Sequence, residues 1–460
     1  MTITADSVTQ LREENERKLR EIVQREGKSP QELYAEREKR ILDAVELREP
    51  DRVPVTMGGG YFAARYAGFT ASVAYYEPAA FKEAIKKTAL DFEPDASWGA
   101  AATGGSGVAM ELLDAKQTAW PGGPLPPDVG HQFIEGEYMK EDEYDLFLND
   151  PTDFTLRYYL PRTFGALAPL ASLPPLMAMG GVGATAMVML FLRPEFKKLG
   201  ETLVKAAEEQ LKYFQEIASL RAEMTAIGFP PVIRAGGLGL APFDAVSDMY
   251  RGMRGSMLDM YRRPEKLLAA CDKVFGMRQM RTMSTTAGMP LLPDMPGMRG
   301  MPDLEGEGGV RTVFMPLHRG AQGFMSKKQF ETFYWPGLKA TILDAIDRGF
   351  IASPFFEGYF DDRLEYLLEL PKGKVICHFE NTNMARAKEI LGDRFCLMGN
   401  VPSSLLQCGS PTEVEDYCKD LIRNCGKGGG FILTHGSSID EAKPANLHAM
   451  VDSVKKYGWY

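Results

Sequence analysis

From Asp51 onward, short apolar runs alternate with stretches of amphipathic helical spacing. Continuous apolar runs separated by helices are typical of a parallel sheet that is covered on both faces. For a chain of 460 residues, the simplest such fold is a closed (β/α)8 barrel (TIM barrel) of the α/β class, and a doubly wound open sheet is the alternative. No Gly-x-Gly-x-x-Gly follows the first run, which disfavours a dinucleotide-binding sheet. The predicted strands are Arg52–Met57, Leu176–Gly180, Val232–Gly236, Arg311–Pro316, Phe350–Phe356, Val375–Glu380, Phe395–Met398 and Gly430–Thr434.

The first 50 residues predict two helices that precede the barrel. Apolar residues at helical spacing run through Leu19–Val23 and again through Leu33–Val45, with a break at Gly27–Pro30. Ser29 is a predicted N-cap, and Pro30 occupies the first helical position. We therefore assign residues 1–50 to a helical extension that packs on the main domain or on a partner subunit, and residues 51–460 to the barrel. The helices predicted between the later strands are Lys327–Asp347, Arg363–Leu370, Met384–Leu391, Pro411–Asn424 and Ala442–Tyr457.

Two stretches do not follow the alternation. Tyr61–Asp150 is long and rich in glycine, aromatic and acidic residues. Residues 287–309 form a Pro/Gly-rich stretch with several methionines, which are adaptable contacts for an apolar ligand or partner. A loop of this length is typical of a lid or a binding loop, and packing against its own subunit is the alternative.

Composition excludes several classes of protein. A net charge of −9 is inconsistent with a nucleic-acid footprint. The N-terminal residues are too polar for a signal peptide, and prolines and glycines interrupt Ala166–Leu192, the most apolar stretch, so it does not predict a membrane span. The six cysteines show no Cys-x-x-Cys spacing. We therefore expect a cytoplasmic protein with reduced thiols and neither a membrane nor a nucleic-acid partner.

Several polar residues follow predicted strands, where barrel enzymes place their catalytic groups. Glu357 ends one strand, and His318 follows another, where it could act as a general acid. His378 and Glu380 are two residues apart on a strand, so they share its inward face, while Cys377 faces outward and is a weak candidate nucleophile. The alternatives are structural: a strand-end histidine is often a hydrogen-bonded core residue, and Glu357 could cap the following segment.

The C-terminal part of the chain carries a family resemblance. Gly399-Asn400 follows a strand, Ser410-Pro411 opens a helix, a glycine-rich turn enters Gly428–Leu433, and the closing helix ends in Tyr457-Gly458. With Ala241–Leu268 and His318–Lys339 upstream, these segments resemble the uroporphyrinogen decarboxylase (URO-D) superfamily, most strongly after Phe314. That superfamily includes the decarboxylase and zinc methyltransferases that serve coenzyme M and corrinoid proteins. The resemblance implies an enzyme with a barrel fold and a homodimer.

The chain departs from the decarboxylase at the place where that enzyme has an arginine-rich motif ending in Gly-Arg-Tyr. Arg65 is the only basic residue between Val53 and Gly68. A substrate with eight carboxylates would leave several charges unpaired in such a pocket, each at a cost of a few kcal/mol. Uroporphyrinogen is therefore not the expected substrate.

The resemblance also implies a metal site. Zinc methyltransferases of the superfamily carry His-x-Cys on one strand and a later Cys in a glycine-rich motif. Here His378 matches the histidine, Glu380 stands at the cysteine position, and His435 lies in the later motif. His, Glu and His form an acceptable three-ligand set for catalytic zinc. In the decarboxylase the later motif also holds a histidine, thought to contact substrate, so His435 could do the same without metal.

The resemblance, closer to the methyltransferase branch, therefore predicts a corrinoid-dependent methyltransferase. It would move a methyl group from a small, apolar or methoxylated aromatic substrate to a cobalt corrinoid on a partner protein, or in reverse with a thiol or folate acceptor. The predicted catalytic residues are Glu357, His435 and His318, and the predicted substrate contacts are Arg65, Tyr359 and Asn400. The alternatives are a metal-free decarboxylase or lyase that uses Glu357 and His435 as acid and base, and a non-catalytic barrel that binds a tetrapyrrole or a protein.

Overall fold

The computed structural model describes residues 5–98, 105–232, 239–286 and 311–460. Its strands in these ranges are β1 (Thr56–Met57), β2 (Ala96–Ser97), β3 (Thr118–Ala119), β4 (Gln132–Phe133), β5 (Thr312–Leu317), β6 (Ile351–Phe356), β7 (Ile376–Phe379), β8 (Cys396–Val401) and β9 (Phe431–His435). The α-helices are α1 (Ala5–Glu26), α2 (Pro30–Val45), α3 (Phe62–Tyr66), α4 (Val73–Tyr76), α5 (Pro78–Phe92), α6 (Gly107–Leu112), α7 (Tyr144–Asn149), α8 (Pro151–Phe154), α9 (Leu160–Thr163), α10 (Val182–Val188), α11 (Pro194–Ala218), α12 (Leu220–Ala226), α13 (Pro242–Ala245), α14 (Gly252–Arg262), α15 (Pro264–Thr286), α16 (Lys327–Gln329), α17 (Trp335–Asp347), α18 (Met384–Leu391), α19 (Ser403–Cys408), α20 (Pro411–Leu421) and α21 (Pro444–Tyr457). Single π-helical turns continue several of them, among them Phe330–Tyr334 and Ile422–Gly426.

The chain forms two compact units. The first comprises Met1–Thr103, Ile217–Ala241 and Gly300–Tyr460, and the second comprises Gly104–Glu216 and Pro242–Arg299. Every predicted site residue belongs to the first unit. The predicted boundary at residue 50 stays a prediction.

The first unit is built on a parallel sheet, which confirms the α/β class. Its five-stranded part has the order β5-β6-β7-β8-β9, and β1 pairs with β2 in parallel. Three backbone contacts continue the pairing beyond these two groups of strands. Val55, just before β1, bridges to Leu433 of β9, and Ser97 of β2 bridges to Pro231. The Gly239 N–H donates to the Phe314 carbonyl of β5. Because all the strands of the large sheet run in parallel, their carboxyl ends lie at one edge and bring distant parts of the sequence together.

A buried ion-pair network joins α2 to the sheet. Asp95, 1% exposed, accepts hydrogen bonds from the guanidinium groups of Arg40 on α2 and Arg52, and from the Val55 N–H. Arg40 also pairs with Asp51. The predicted start of α2 is confirmed, since Ser29 caps it in a capping box with Pro30 in the first turn. Helix α2 therefore packs beside the sheet through the pair of Arg40 and Asp95, whose charges are almost fully removed from water.

The predicted strand Leu176–Gly180 is wrong. Leu176–Met179 is a 3₁₀ helix in the second unit, after the prolines at 174 and 175. A short apolar run has no periodicity that separates a buried strand from another apolar segment. The strand beside β1 is instead Ala96–Ser97, inside the stretch that did not fit the alternation. From residue 233 the predicted strand Val232–Gly236 lies outside the described residues, as does the loop 287–309.

The remaining predicted elements of the C-terminal half are confirmed, with one exception. Leu364–Glu369 is a 3₁₀ helix, where an α-helix was predicted.

The second unit holds the β3–β4 hairpin and a buried cluster in which Arg251 and Tyr144 both donate to Asp259. Among the helices that the structure describes, none combines the length and apolarity needed to cross a membrane.

Candidate functional site

Two buried histidines lie at the carboxyl ends of the strands, on β7 and β9. A ring nitrogen of His378, Nε2, lies 3.1 Å from the His435 carbonyl oxygen, and His435 Nδ1 lies 2.6 Å from the Ser437 carbonyl oxygen. Because a carbonyl only accepts, both of these nitrogens carry the proton. The other nitrogens, His378 Nδ1 and His435 Nε2, then carry lone pairs, and both are buried without a hydrogen-bond partner among the described residues.

Burial keeps both imidazoles neutral. It lowers the pKa of His378 to about 3 and that of His435 to about 4, although the carbonyl partners act in the opposite direction. At neutral pH the two side chains therefore offer hydrogen-bond acceptors or metal-binding lone pairs and no positive charge. A neutral His435 is a poor proton donor.

Aromatic rings surround the two histidines. Phe355 is paired with His378 in the sheet register, and the centroids of their rings are 4.3 Å apart. The ring centroid of Trp98 lies 5.5 Å from that of His378 and 6.1 Å from that of His435. Phe314 packs 5.9 Å from Trp98. The indole N–H of Trp98 is buried and also lacks an acceptor within the described part of the chain. One apolar cluster thus holds an unsatisfied donor and two unsatisfied acceptors.

The aromatic residues were not predicted from the sequence. A signal existed for Phe355, because it lies two residues before Glu357 and shares that residue's face of the strand. No comparable signal marks Trp98, since it follows a strand of only two residues, β2. Its place beside the histidines results from the pairing of β2 with β1.

The predicted residues His318 and Glu357 are neighbours. They follow β5 and β6, whose last residues, Leu317 and Phe356, are paired in register. His318 Nε2 lies 3.7 Å from Glu357 Oε1, and the side chains are 33% and 37% exposed. A carboxylate at this distance stabilises the protonated imidazole. The pair is accessible to a substrate and can hold or release a proton.

Glu380 contacts the backbone beside both the His318–Glu357 pair and the His378–His435 pair. Its Oε2 accepts a 2.6 Å hydrogen bond from the Gly358 N–H, next to Glu357. A side chain added at Gly436 would lie 3.0 Å from the Glu380 carbonyl, so the backbone after His435 passes directly against it. The Glu380 carboxylate thereby holds the loop that follows β6.

The described residues do not assemble the predicted zinc ligands. Within the ranges that the structure describes, no three His, Cys, Asp or Glu side chains are close enough to hold a metal ion. Glu380 is bound to the Gly358 N–H, and His378 Nε2 is directed at a carbonyl. The two unpaired imidazole nitrogens are suitable single ligands, but the three-residue set does not fit zinc in this arrangement. Zinc at His378, Glu380 and His435 stays a prediction.

The predicted substrate contacts Asn400 and Arg65 are hydrogen-bonded to other residues of the protein. Asn400 is 4% exposed and donates to the Thr382 carbonyl, while Tyr417 donates to its side-chain oxygen. Arg65 donates to the Asp440 carbonyl and forms an ion pair with a neighbouring glutamate. These contacts give Asn400 and Arg65 structural partners.

Two further predicted residues differ in exposure. Tyr359 is 58% exposed and its carbonyl accepts from the Gln322 N–H, which ties the loops after β5 and β6 together. Cys377 is fully buried, and burial raises the pKa of its thiol well above the ordinary value. The thiol therefore stays protonated, in agreement with the weak case for it as a nucleophile.

Comparison with known proteins gives matches of two kinds. Residues 307–457 match the uroporphyrinogen decarboxylase (URO-D) family. The uroporphyrinogen decarboxylase of Coxiella burnetii is 29% identical over 77 residues, which are 16% of this chain and 21% of that protein. The decarboxylase of Chlorobium phaeovibrioides is 34% identical over 79 residues, 16% of this chain and 22% of that protein. The chain thus spans about a fifth of the length of these curated relatives.

A solved structure is similar over nearly the whole chain. A methyltransferase from Methanosarcina mazei superposes with a TM-score of 0.55 and 14% sequence identity, covering 92% of this chain and 98% of that one. At this identity the similarity shows that the two chains share a fold.

Proposed function

We infer that this chain, whose residues 307–457 match the URO-D family, is a methyltransferase acting on a small, apolar or aromatic methylated compound. The observation that carries this inference is the cluster of Trp98, His378 and His435, in which buried polar atoms lie among aromatic rings and have no hydrogen-bond partner among the described residues. Such a site is complementary to an apolar molecule with one or two polar atoms.

We propose that the strands close into a (β/α)8 barrel. The contacts Val55–Leu433, Ser97–Pro231 and Gly239–Phe314 support closure, because they connect β1 to β9, β2 to Pro231, and Gly239 to β5. In a closed barrel the candidate site would lie at the mouth formed by the carboxyl ends of the strands.

The surroundings of the two histidines favour a methoxylated aromatic over a polycarboxylate. The neutral imidazoles and the rings of Trp98 and Phe355 provide apolar and π-face contacts and no cation. A carboxylate buried beside these four rings would lose its hydration without gaining a charge-assisted hydrogen bond from any of them. An aromatic ether would bury its ring, and its oxygen could accept from the Trp98 indole N–H.

The reaction that we propose breaks the bond between the methyl carbon and the ether oxygen. Both electrons of that bond stay on the oxygen, and the methyl carbon forms its new bond with the acceptor. The residual alkoxide or phenolate needs a proton, which His318 can supply while Glu357 stabilises its charged form. As acceptor we propose a cobalt corrinoid carried by a partner protein, which supplies a nucleophilic metal centre when bound.

An assay of methyl transfer from methoxylated aromatics to a reduced corrinoid tests the function. We expect His318→Gln and Glu357→Gln each to lower the rate by about 10²–10⁴-fold, the usual contribution of general acid catalysis. The matched control is His131→Gln, a change at an exposed histidine of the second unit, which should leave the rate unchanged. Equal activity of all three variants would contradict the assigned roles.

A metal-free decarboxylase is the second candidate, favoured by the curated matches. The same preparation should be assayed for decarboxylation of uroporphyrinogen and analysed for bound zinc. Turnover of uroporphyrinogen on the order of 1 s⁻¹ or faster would overturn the methyltransferase proposal. Zinc bound by the wild type and lost in His378→Ala would support the predicted ligand set, and a variant that keeps its zinc would refute it.

A further inference from the structure

A second cleft lies at the amino-terminal ends of the strands, opposite His318 and Glu357. Its volume is about 460 Å³, within the range of about 300–1,000 Å³ typical of small-molecule sites. Three cations and three aromatic residues line it: Lys419, Arg423, Lys427, Tyr457, Trp459 and Tyr460. We call it the basal cleft. None of these residues takes part in the proposed reaction.

The aromatic rings of the basal cleft are held in place by their polar ends. The indole N–H of Trp459 donates to the Lys455 carbonyl at 2.6 Å, and the Tyr460 hydroxyl donates to the Gly426 carbonyl at 2.9 Å. The two side chains nevertheless remain 60% and 43% exposed. Ring surfaces that are fixed and open to solvent can stack on a planar ligand with little loss of side-chain entropy.

The cations follow one another at intervals of four residues. Lys419 lies on α20, Arg423 lies in the π-helical turn Ile422–Gly426, and Lys427 caps that turn. In the described part of the chain, neither lysine has a carboxylate within ion-pair distance, and Arg423 pairs with the exposed Asp420. The Lys419 ammonium lies 5.1 Å from the ring of Tyr457. The lining of the cleft holds these three cations and the carboxylate of Glu49, on a chain of net charge −9.

We propose that the basal cleft binds a planar aromatic ring that carries a phosphate or carboxylate group. The anionic group would contact Lys419 and Lys427, and the ring would stack on Trp459. A neutral aromatic compound would leave the lysines without partners, and an inorganic anion would leave the ring surfaces exposed to water. Fixed rings beside lysines that form no ion pair among the described residues are complementary to a ligand that has both features.

Titration of the full-length protein with AMP and with benzoate, followed by calorimetry and tryptophan fluorescence, tests this proposal. We expect saturable binding at or below about 1 mM for at least one of the two probes. Trp459→Phe should remove the fluorescence response. Lys419→Gln combined with Lys427→Gln should weaken binding by about tenfold or more, the expected loss for two charge-assisted contacts.

The matched control is Lys372→Gln combined with Lys374→Gln, which removes the same charge from exposed lysines outside the cleft. Its affinity should equal that of the wild type. The proposal is overturned if neither probe binds, if both double variants bind equally, or if inorganic phosphate alone binds as tightly as AMP. Because the methyl-transfer assay does not involve these residues, its failure and the failure of this proposal are distinguishable.

Discussion

At the scale of single residues, the most informative feature is the protonation of His378 and His435. Their ordinary pKa is about 6.5, and burial lowers it to about 3 and about 4. Between these values the unfolded chain binds protons that the folded chain does not. The free energy of unfolding should therefore fall as the pH falls from about 6.5 to 4, by up to about 1.4 kcal/mol per pH unit for each histidine.

Urea unfolding between pH 7 and pH 4.5 measures this effect. His378→Gln and His435→Asn keep the side-chain N–H that donates to the carbonyl and cannot titrate, so the double variant should show a shallower pH dependence than the wild type. His131→Gln, at an exposed site, should not change the slope. Identical slopes in wild type and double variant would show that burial does not lower the pKa of the two imidazoles.

At the same scale, the sequence predicted the histidines and missed their surroundings. Alternation along a strand is enough to place His378 inside, and the pairing of β5 with β6 brings His318 to Glu357. The position of Trp98 depends on which strand pairs with β1, and this is a property of the whole sheet. Local spacing carries no information about such a contact.

At the scale of secondary-structure elements, the loop after β1 is fixed against the loop after β9. Gly60 has a φ of +67°, and a side-chain carbon there would lie 2.4 Å from the Ile439 carbonyl. The Tyr61 N–H donates to Asp440, and the Phe62 N–H donates to the Ile439 carbonyl. Glycine at this position is therefore required both by the backbone conformation and by the approach of the second loop.

Replacement of this glycine should be destabilising. We expect Gly60→Ala to lower the free energy of unfolding by more than about 2 kcal/mol, because left-handed strain and a backbone clash add together. Gly68→Ala is the control, since its φ is +81° with open space around the added carbon, and it should cost only the strain, about 1 kcal/mol. Thermal unfolding of both variants checks the difference, and equal losses would argue against the clash.

Elements with strong local signals were predictable, and those defined by pairing were not. The capping box at Ser29 and the alternation of strands and helices after residue 311 appear in the structure nearly as predicted. The run Leu176–Gly180 has the apolar composition of a buried strand and forms a 3₁₀ helix. Ala96–Ser97 is too short for a periodic signal, and it is a strand only because β1 lies beside it.

At the scale of the whole molecule, the Asp95 network links α2 to the sheet. Burial raises the pKa of its carboxyl, but Arg52, Arg40 and the Val55 N–H outweigh that effect and lower the pKa. Asp95→Asn would leave Arg40 with Asp51 as its carboxylate partner and would remove the carboxylate that pairs with the buried Arg52. We expect a loss of about 3–5 kcal/mol in the free energy of unfolding, the usual cost of breaking a buried pair.

The control for that variant is Asp51→Asn, which removes a half-exposed partner of the same Arg40. It should cost about 1 kcal/mol or less, because solvent screens the pair. Urea unfolding of both proteins at pH 7 gives the comparison, and similar losses would mean that burial of the network does not make it more stabilising than an exposed pair.

The homodimer stays a prediction. Light scattering at micromolar concentration tests it, and a monomer would refute it.

The contact between β1 and β9 has a consequence for synthesis on the ribosome. The hydroxyls of Thr56 and Thr434 are hydrogen-bonded across 378 residues of sequence. At about 5–20 residues per second, β1 is translated roughly 20–75 s before the strand that pairs with it. During that interval the nascent chain has one unpaired edge beside β1, to which other chains could add. The sheet can therefore be completed only after most of the chain has been translated, and nascent chains that stall between the two strands should be the ones that recruit chaperones.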